Sequence, residues 1–320
     1  MKKLNFICLA LILLACEQNE LPITPHPMGE IKSTQINMQS DYRNQLFYNL
    51  ENNLVITENL KTEWDLAFES SEEGWHIILN SSRFSKASEL TNTNFNEIIS
   101  ISSLSWIWEQ PEGINSGNAI GDYRGKQSLY IIDRGFNLDG NPAGFKKLMI
   151  DSVTEEFYYI KYSNLDNTNN HILQIKKDNT TNFQHLSFES NNIVNIEPNK
   201  NDWDLMFTQY THLYNDPLLP PSYLVTGVLT NYLNNVSIAK DTTNKFEDIN
   251  YSMLQLYSFS NNQNEIGYDW KTYTGNGYSI NTEMVYIVKD VSNRFFKLRF
   301  IDFYNSDGEK GYPKFEFQEL

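Results

Sequence analysis

The sequence contains very little cysteine and little positive charge. Only two cysteines occur among the 320 residues, Cys8 and Cys16, and both lie near the N-terminus. If the residues before Cys16 are removed, the remaining chain has no disulfide, and its stability must come from burial of a core. The net charge of −15 makes nucleic acids and acidic lipid surfaces poor partners.

The sequence also lacks the familiar catalytic and metal-binding motifs. There is no Gly-x-Ser-x-Gly, no His-Glu-x-x-His and no Cys-x-x-Cys. The glycine spacing of residues 121–126 does not match a phosphate-binding loop. The Asp-Gly pairs at 139–140 and 307–308 lack the alternating acidic ligands of an EF-type calcium loop. We therefore predict that the protein is not an enzyme.

The first residues have the pattern of a secretory signal. Two lysines precede a short apolar run that ends in Leu-Leu-Ala-Cys at Cys16. A run of about 12 residues is too short to span a bilayer of roughly 30 Å as a helix, and small residues before a cleavage point are typical of signal peptides. The final four residues resemble the lipobox of bacterial lipoproteins, in which the cysteine becomes the acylated first residue. An ordinary signal peptide with an incidental cysteine is the alternative.

These patterns divide the start of the chain into two segments. Residues 1–15 are predicted to be the signal peptide, with Cys16 as the lipidation site. Residues 16–41 are polar and contain several prolines, so we expect a flexible tether between the membrane and the folded part. No later stretch is apolar for long enough to cross a membrane, which leaves the acylated cysteine as the expected anchor.

A segment that occurs twice organises the rest of the chain. Trp64 and Asp65 stand in the first copy, Trp203 and Asp204 in the second, and the two tryptophans are 139 residues apart. The same offset relates several residues upstream of each copy, which indicates an internal duplication. Apolar residues alternate in both copies, so we expect the tryptophan and the following leucine and phenylalanine on one face of a central strand. Each aspartate is interpreted as a structural hydrogen-bond acceptor and not as a general acid.

Short apolar runs separated by asparagine- and glycine-containing turns follow both copies of this segment. They predict an all-β, mainly antiparallel protein with minor α structure, in two modules over residues 42–170 and 171–320. A weak pattern over residues 246–258 predicts a short helix. Aromatic residues reach 14%, including 19 tyrosines, which suits β-sheet faces first and ligand-lined grooves second.

An ordered series of motifs in the second module resembles a known family. The motifs are Trp-Asp-Leu-Met-Phe at 203–207, Tyr-Leu-Val-Thr-Gly-Val-Leu at 223–229, Gly-Tyr-Asp-Trp at 267–270, Tyr-Ile-Val at 286–288, and the closing strand pair at 296–305 and 308–317. The series is similar to the HmuY family of Bacteroidetes lipoproteins, and the closing pair is its most specific part. The likeness covers residues 184–320, with the first module as a more divergent copy.

The resemblance implies an all-β haemophore that holds haem between two axial side chains. Family members use histidine or methionine for this, and haem iron generally takes such donors. Beyond His212 the matching region has no histidine and only two methionines, Met253 and Met284. The candidate axial ligands are therefore a Met253–Met284 pair, or His212 with either methionine. Core filling is the competing role for both methionines.

The resemblance further implies an outer-membrane lipoprotein on the periplasmic or cell-surface face. It would bind haem, or a related porphyrin, and deliver it to a TonB-dependent outer-membrane receptor. The alternative is a non-haem binding or assembly lipoprotein that uses the same β scaffold for a protein or glycan partner.

Overall fold

The computed structural model describes residues 27–114 and 117–320, and the regular secondary structure of this part is almost entirely antiparallel β-sheet. The predicted all-β class is confirmed. Within these residues, helix is limited to short 3-10 segments at Ser81–Arg83, Tyr232–Asn234 and Tyr251–Leu256. The last of these lies inside the region for which a helix was predicted. None of the described helices is long and apolar enough to cross a membrane. The predicted signal peptide and Cys16 lie outside the described residues.

The strands of the first half of the chain are mostly short. In chain order they are β1 (Lys32–Gln35), β2 (Asn44–Asn49), β3 (Leu54–Leu60), β4 (Leu66–Glu69), β5 (His76–Leu79), β6 (Lys86–Thr91), β7 (Ile107–Trp108), β8 (Gly121–Asp122), β9 (Ser128–Asp133), β10 (Phe145–Val153), β11 (Phe157–Ser163) and β12 (His171–Lys176).

The second half contains longer strands. In chain order they are β13 (Phe183–Ser187), β14 (Asn192–Val194), β15 (Leu205–Leu213), β16 (Ser222–Thr230), β17 (Ser237–Asp241), β18 (Lys271–Tyr273), β19 (Tyr278–Ile280), β20 (Val285–Lys289), β21 (Phe295–Tyr304) and β22 (Lys310–Glu319).

The sheets form two units, each built around one hydrophobic core. In the first unit, a sheet ordered β12-β11-β10-β9-β6-β7 packs with one ordered β14-β13-β4-β5-β8. In the second unit, a sheet ordered β1-β22-β21-β20-β17 packs with one ordered β16-β15-β2-β3. A two-stranded sheet, β18-β19, completes the second unit.

The two copies exchange their first hairpins. The β2–β3 hairpin precedes the first Trp-Asp segment in the chain, but β2 pairs with β15, which follows the second one. Reciprocally, β13 of the second copy pairs with β4 of the first copy. Each central strand therefore obtains a neighbour from the other half of the sequence, and the sheets do not divide at the predicted boundary between residues 170 and 171.

The exchange extends the fold into the segment predicted as a tether. Strand β1 pairs with β22, and Ile36 and Met38 are buried in the core of the second unit. Residues 32–41 therefore belong to the fold, because alternating apolar side chains in this stretch bury against the second copy. The predicted tether of residues 16–41 is too long at its C-terminal end.

The Trp-Asp segments occupy equivalent positions, although their geometry differs from the prediction in one respect. Each strand begins two residues after the tryptophan. Trp64 and Trp203 lie in one cluster where the units meet, together with Phe47 and Phe183. The leucine and phenylalanine of each strand point instead into the separate cores of the two units.

The two aspartates link the exchanged segments by hydrogen bonds. Asp204 accepts from the backbone N–H of Leu50 at 2.8 Å and of Val291 at 3.0 Å. Asp65 accepts from the N–H of Phe188 at 2.7 Å. Both aspartates are buried, and burial raises the pKa of Asp204 to about 6. These contacts agree with a structural role for both side chains.

Candidate functional site

A cleft of about 940 Å³ lies in the second unit. It lies between the β15–β16 hairpin, the β18–β19 hairpin and the turn that joins β21 to β22. The β15 strand has nine residues where the equivalent β4 has four, and Gln209 in the added part of β15 lines the cleft. We call this cavity the tyrosine cleft. A volume of this size is within the usual range of roughly 300–1,000 Å³ for small-molecule sites.

Tyrosine dominates the lining of the cleft. The seven tyrosines that contribute are Tyr42, Tyr214, Tyr223, Tyr268, Tyr273, Tyr278 and Tyr304. The rings of Tyr273 and Tyr278 lie 5.4 Å apart, and the Tyr304 hydroxyl accepts a hydrogen bond from the backbone N–H of Tyr278. Burial raises the pKa of Tyr268 to about 12 and also raises the pKa values of Tyr42 and Tyr278. These three phenols therefore stay neutral at physiological pH.

One buried lysine also reaches the cleft. Lys271 is 6% exposed, and its Nζ lies 4.1 Å from the ring centroid of Trp270 and 4.8 Å from that of Phe303. The ammonium donates a hydrogen bond to the backbone carbonyl of Thr226. Burial lowers the pKa of Lys271 to about 7, with Asp269 opposing the shift. Among the described residues, no carboxylate forms an ion pair with Lys271.

The two candidate methionine ligands lie on opposite faces of one sheet. Met284 packs against the core of the second unit, and its sulfur accepts a hydrogen bond from the Tyr286 hydroxyl at 2.9 Å. Met253 packs against the cluster that contains Val285 and Ile287, whose side chains leave β20 on the opposite face from Tyr286. The sheet separates the two sulfurs, so the structure does not form the predicted Met253–Met284 pair. Neither methionine lines the cleft.

His212 lies beside the cleft without lining it. Its ring contacts those of Tyr214 at 4.9 Å and Tyr268 at 5.0 Å, and both tyrosines do line the cleft. Burial lowers the pKa of His212, so the imidazole is held in its neutral form. His212 is on the same face of β15 as Tyr210, whereas Gln209 reaches the cleft from the other face. The two tyrosines that His212 contacts belong to neither of the clusters against which Met253 and Met284 pack.

The first unit has a second cavity, of about 760 Å³, that includes a methionine and a histidine. Met149 pairs with Lys161, while His171 pairs with Tyr162 on the adjacent strand. The Tyr162 side chain points into the core of the first unit and Met149 packs against a different cluster, so the two potential donors leave the sheet on opposite faces. No cluster of three or more His, Cys, Asp or Glu side chains able to hold a metal ion occurs in the described ranges.

Sequence reasoning missed the tyrosines and Lys271 as site residues. The sequence indicated the tyrosines only through its high aromatic content, which favoured β-sheet faces first and ligand-lined grooves second. These side chains come from distant parts of the chain and share no motif. Lys271 directly follows the Gly-Tyr-Asp-Trp segment, but a lysine in a polar hairpin gives no sign of burial.

An all-β scaffold with an aromatic cleft of this volume has the form that is common for small-molecule sites. The model of the HmuY protein family matches residues 41–183 and again residues 179–317. The chain belongs to the HmuY family, as two tandem copies. A search of curated proteins finds no match.

Solved structures similar to this chain include three HmuY-related proteins. Apo PinO from Porphyromonas gingivitis is 9% identical with a TM-score of 0.30, and the match covers 91% of this chain and 97% of that one. The apo HmuY analogue of Tannerella forsythia is 11% identical with a TM-score of 0.26, covering 92% and 99%. An HmuY-like heme binding protein from Bacteroides vulgatus is 10% identical with a TM-score of 0.25, covering 90% of both chains. Membership of the family rests on the sequence match and not on these superpositions.

Proposed function

We propose that this protein binds haem or a related porphyrin in the tyrosine cleft. The observation that carries the proposal is the cleft itself, with aromatic walls on several sides and a volume suited to one small molecule. The cleft lies between the second Trp-Asp strand and the closing strands, in the part of the chain whose motifs resemble the family. The family match and the description of one neighbour as a heme binding protein support the same ligand.

The side chains of the cleft are better suited to contact the porphyrin ring than to supply two axial ligands to its iron. Its lining contains no histidine and no methionine, so it does not fit the histidine or methionine pair of the family. Tyrosine oxygen is the haem donor that the lining does offer, as in catalase. The neutral state of Tyr42, Tyr268 and Tyr278 disfavours the phenolate form of these three. The protein would therefore hold a porphyrin chiefly by its faces and edges.

Haemin titration of the chain from residue 17 onward tests this proposal. We expect a saturable change in the Soret band that lacks the sharp low-spin features of two strong axial ligands. Tyr223 and Tyr273 are about 60% exposed and line the rim, so Tyr223→Ser with Tyr273→Ser should weaken binding without unfolding the protein. Aromatic contacts worth about 0.5–1.5 kcal/mol each imply roughly 5- to 150-fold weaker binding for the pair.

A matched control comes from another exposed tyrosine. Tyr251 is 49% exposed and lies outside the cleft, so Tyr251→Ser should bind haemin as the unchanged protein does. A Soret band that does not respond to added protein, with iron in either oxidation state, would reject the proposal.

The cellular role in this proposal is that of an acylated outer-membrane carrier. Lipidation at Cys16 would attach the protein to the membrane, and a TonB-dependent receptor would accept the porphyrin. Globomycin treatment, which blocks removal of lipoprotein signals, should make the precursor accumulate. A Cys16→Ser chain that still fractionates with the outer membrane would contradict the anchor.

A glycan or protein ligand is the second candidate. The observation that favours it is the lining of the cleft, which combines many hydroxyl groups with the absence of histidine and methionine. Affinity capture from outer membranes and binding to immobilised glycans would test this alternative. Retention of a defined glycan that competes with haemin would support it, and recovery of neither glycan nor protein would count against it.

A further inference from the structure

The floor of the tyrosine cleft contains a buried cation that lacks an anionic partner. Lys271 donates to one backbone carbonyl, that of Thr226, and its remaining close neighbours are aromatic rings. Two other buried lysines also lie over aromatic rings, but they differ from Lys271 in their contacts with the backbone. Lys147 donates to the carbonyls of Phe95 and Glu97, and Lys297 donates to those of Phe246 and Ile249. Those two ammonium groups bridge backbone segments away from the cleft, whereas Lys271 lines it.

A second buried lysine lies behind the first in a short polar chain. Gln209 donates from Nε2 to the Thr226 hydroxyl at 3.1 Å, and the Lys61 ammonium donates to Gln209 Oε1. Lys61 is 9% exposed, and burial lowers its pKa to about 8. Gln209 and Thr226 both line the cleft, so two cationic groups converge on the same part of its wall. Lys61 comes from the exchanged hairpin region, and Lys271 comes from the second copy.

Two carboxylates and one further lysine also line the cleft. Asp269 forms an ion pair with Lys240 at 3.3 Å, and it acts on Lys271 only by opposing the fall in the pKa of that lysine. Glu309 accepts a hydrogen bond from Asn305 Nδ2 at 2.9 Å in the exposed turn between β21 and β22. Lys310 lies at the rim, with its Nζ 5.1 Å from the ring centroid of Tyr42. Among the described residues, no carboxylate lies within ion-pair distance of Lys271 or Lys61.

Burying an ammonium without an anion is costly, and proteins rarely do so without a compensating partner. A ligand carboxylate can supply that partner, because a charge-assisted hydrogen bond in a poorly solvated site is stronger than a neutral one. We infer that the tyrosine cleft binds its ligand through a carboxylate, which the Lys271 ammonium receives at the cleft floor. Lys61 and Gln209 act as positioning residues that keep this part of the wall cationic.

This inference rests on the proposed porphyrin-binding function and adds to it the acidic group that the site recognises. Metal-free protoporphyrin IX carries two carboxylates, and its dimethyl ester carries none while keeping the ring. Comparing the two by fluorescence titration therefore separates recognition of the acid from recognition of the ring. The absence of iron removes any contribution from axial ligands.

We expect the unchanged protein to bind the diacid at least tenfold more tightly than the diester. Lys271→Met retains much of the side-chain volume without charge, and this variant should bind both compounds equally, at the affinity of the diester. Lys200→Met is the charge-matched control. Lys200 contacts Asn179 at an exposed position outside the cleft, so the control should retain the preference for the diacid.

Three outcomes would overturn the inference, and they can be told apart. Equal binding of diacid and diester by the unchanged protein would show that no carboxylate is recognised. A preference that survives in a folded Lys271→Met protein would assign the recognition to another residue. Failure of the unchanged protein to bind haemin or either porphyrin would refute the proposed function, and the inference would fall with it. A Lys271→Met protein that does not melt cooperatively is replaced by Lys271→Gln, for which the same loss of preference is expected.

Discussion

Replacing Asp65 should strongly destabilise the protein, because its buried carboxylate joins two arginines and one backbone N–H. Its Oδ1 accepts from Arg83 Nη1 at 3.0 Å and from Arg134 Nε at 2.8 Å, and its Oδ2 accepts from the Phe188 N–H at 2.7 Å. The carboxylate and both guanidinium groups are at least nine-tenths buried. Asp65 therefore pairs with two buried arginines and also links the exchanged hairpin to the first unit. The exposed Glu189 lies 3.7 Å from Arg134 and is the other carboxylate near this group.

The size of the expected destabilisation follows from the groups that Asp65→Ala would leave without a partner. Removing one partner of a buried ion pair costs about 3–5 kcal/mol, because the remaining charge stays buried and uncompensated. Leaving the Phe188 N–H without an acceptor adds about 1–3 kcal/mol. The expected loss is roughly 4–8 kcal/mol, a large part of the 5–15 kcal/mol that is typical of folded domains. Asp65→Asn keeps one acceptor and should lose less.

Urea denaturation, followed by tryptophan fluorescence and circular dichroism, measures this loss as a fall in the midpoint at constant slope. Asp122→Ala is the matched control, because the Asp122–Arg124 pair is exposed and such pairs contribute little. If Asp65→Ala lowers the free energy of unfolding by less than about 1 kcal/mol, the two arginines do not depend on this carboxylate, and the reasoning is refuted.

Three further predictions concern ligation, folding and pH. Replacing Met253 and Met284 together by alanine should leave the absorbance spectrum of bound haemin unchanged; loss of the spectrum would place a methionine at the iron. Residues 171–320 alone should not give a cooperative melt, because β1, β2 and β3 are missing from their sheets; a stable isolated fragment would contradict the exchange. Burial raises the pKa of Glu109 to about 8, so this carboxyl group keeps its proton in the folded protein at pH values where the unfolded chain has lost it. The free energy of unfolding should therefore fall by up to about 1.4 kcal/mol per pH unit as the pH rises from 5 to 8. Glu109→Gln should remove that slope in urea midpoints measured across this range, and an identical slope in both proteins would argue against the assignment.

The repeated Trp-Asp segment could be predicted from sequence because both copies keep the same residues at a constant spacing. The structure shows the same duplication elsewhere, in residues that the sequence aligns less clearly. Asn80 donates to the carbonyls of Lys61 and Trp64, and Asn231 donates to those of Lys200 and Trp203. These equivalent bonds close the turn after each central hairpin, although the second hairpin is longer.

The exchange of hairpins could not be predicted from the same information. The β2–β3 and β13–β14 hairpins are similar in sequence, so either one satisfies the local pairing pattern of either central strand. Which pairing forms depends on the packing of whole sheets, and no short motif records it. The alternating Ile36 and Met38 indicate that the fold begins before residue 42. The prolines and polar residues nearby favoured a flexible tether instead.

The candidate site was the least predictable part. Ligand candidates were chosen by residue type, and Met253 and Met284 were the available sulfurs beyond His212. In the structure the two methionines pack against opposite faces of the sheet that contains β20, so they do not form a pair. The tyrosines that line the cleft come from positions between Tyr42 and Tyr304 and meet only through the tertiary fold.

A crystal structure of the protein with protoporphyrin IX bound would show whether the tyrosine cleft is the porphyrin site. We expect the ring between the tyrosines of the cleft, with one carboxylate within hydrogen-bond distance of the Lys271 Nζ. A ring bound in the cavity of the first unit, or one held in the cleft with both carboxylates in solvent and Lys271 uncontacted, would refute this expectation.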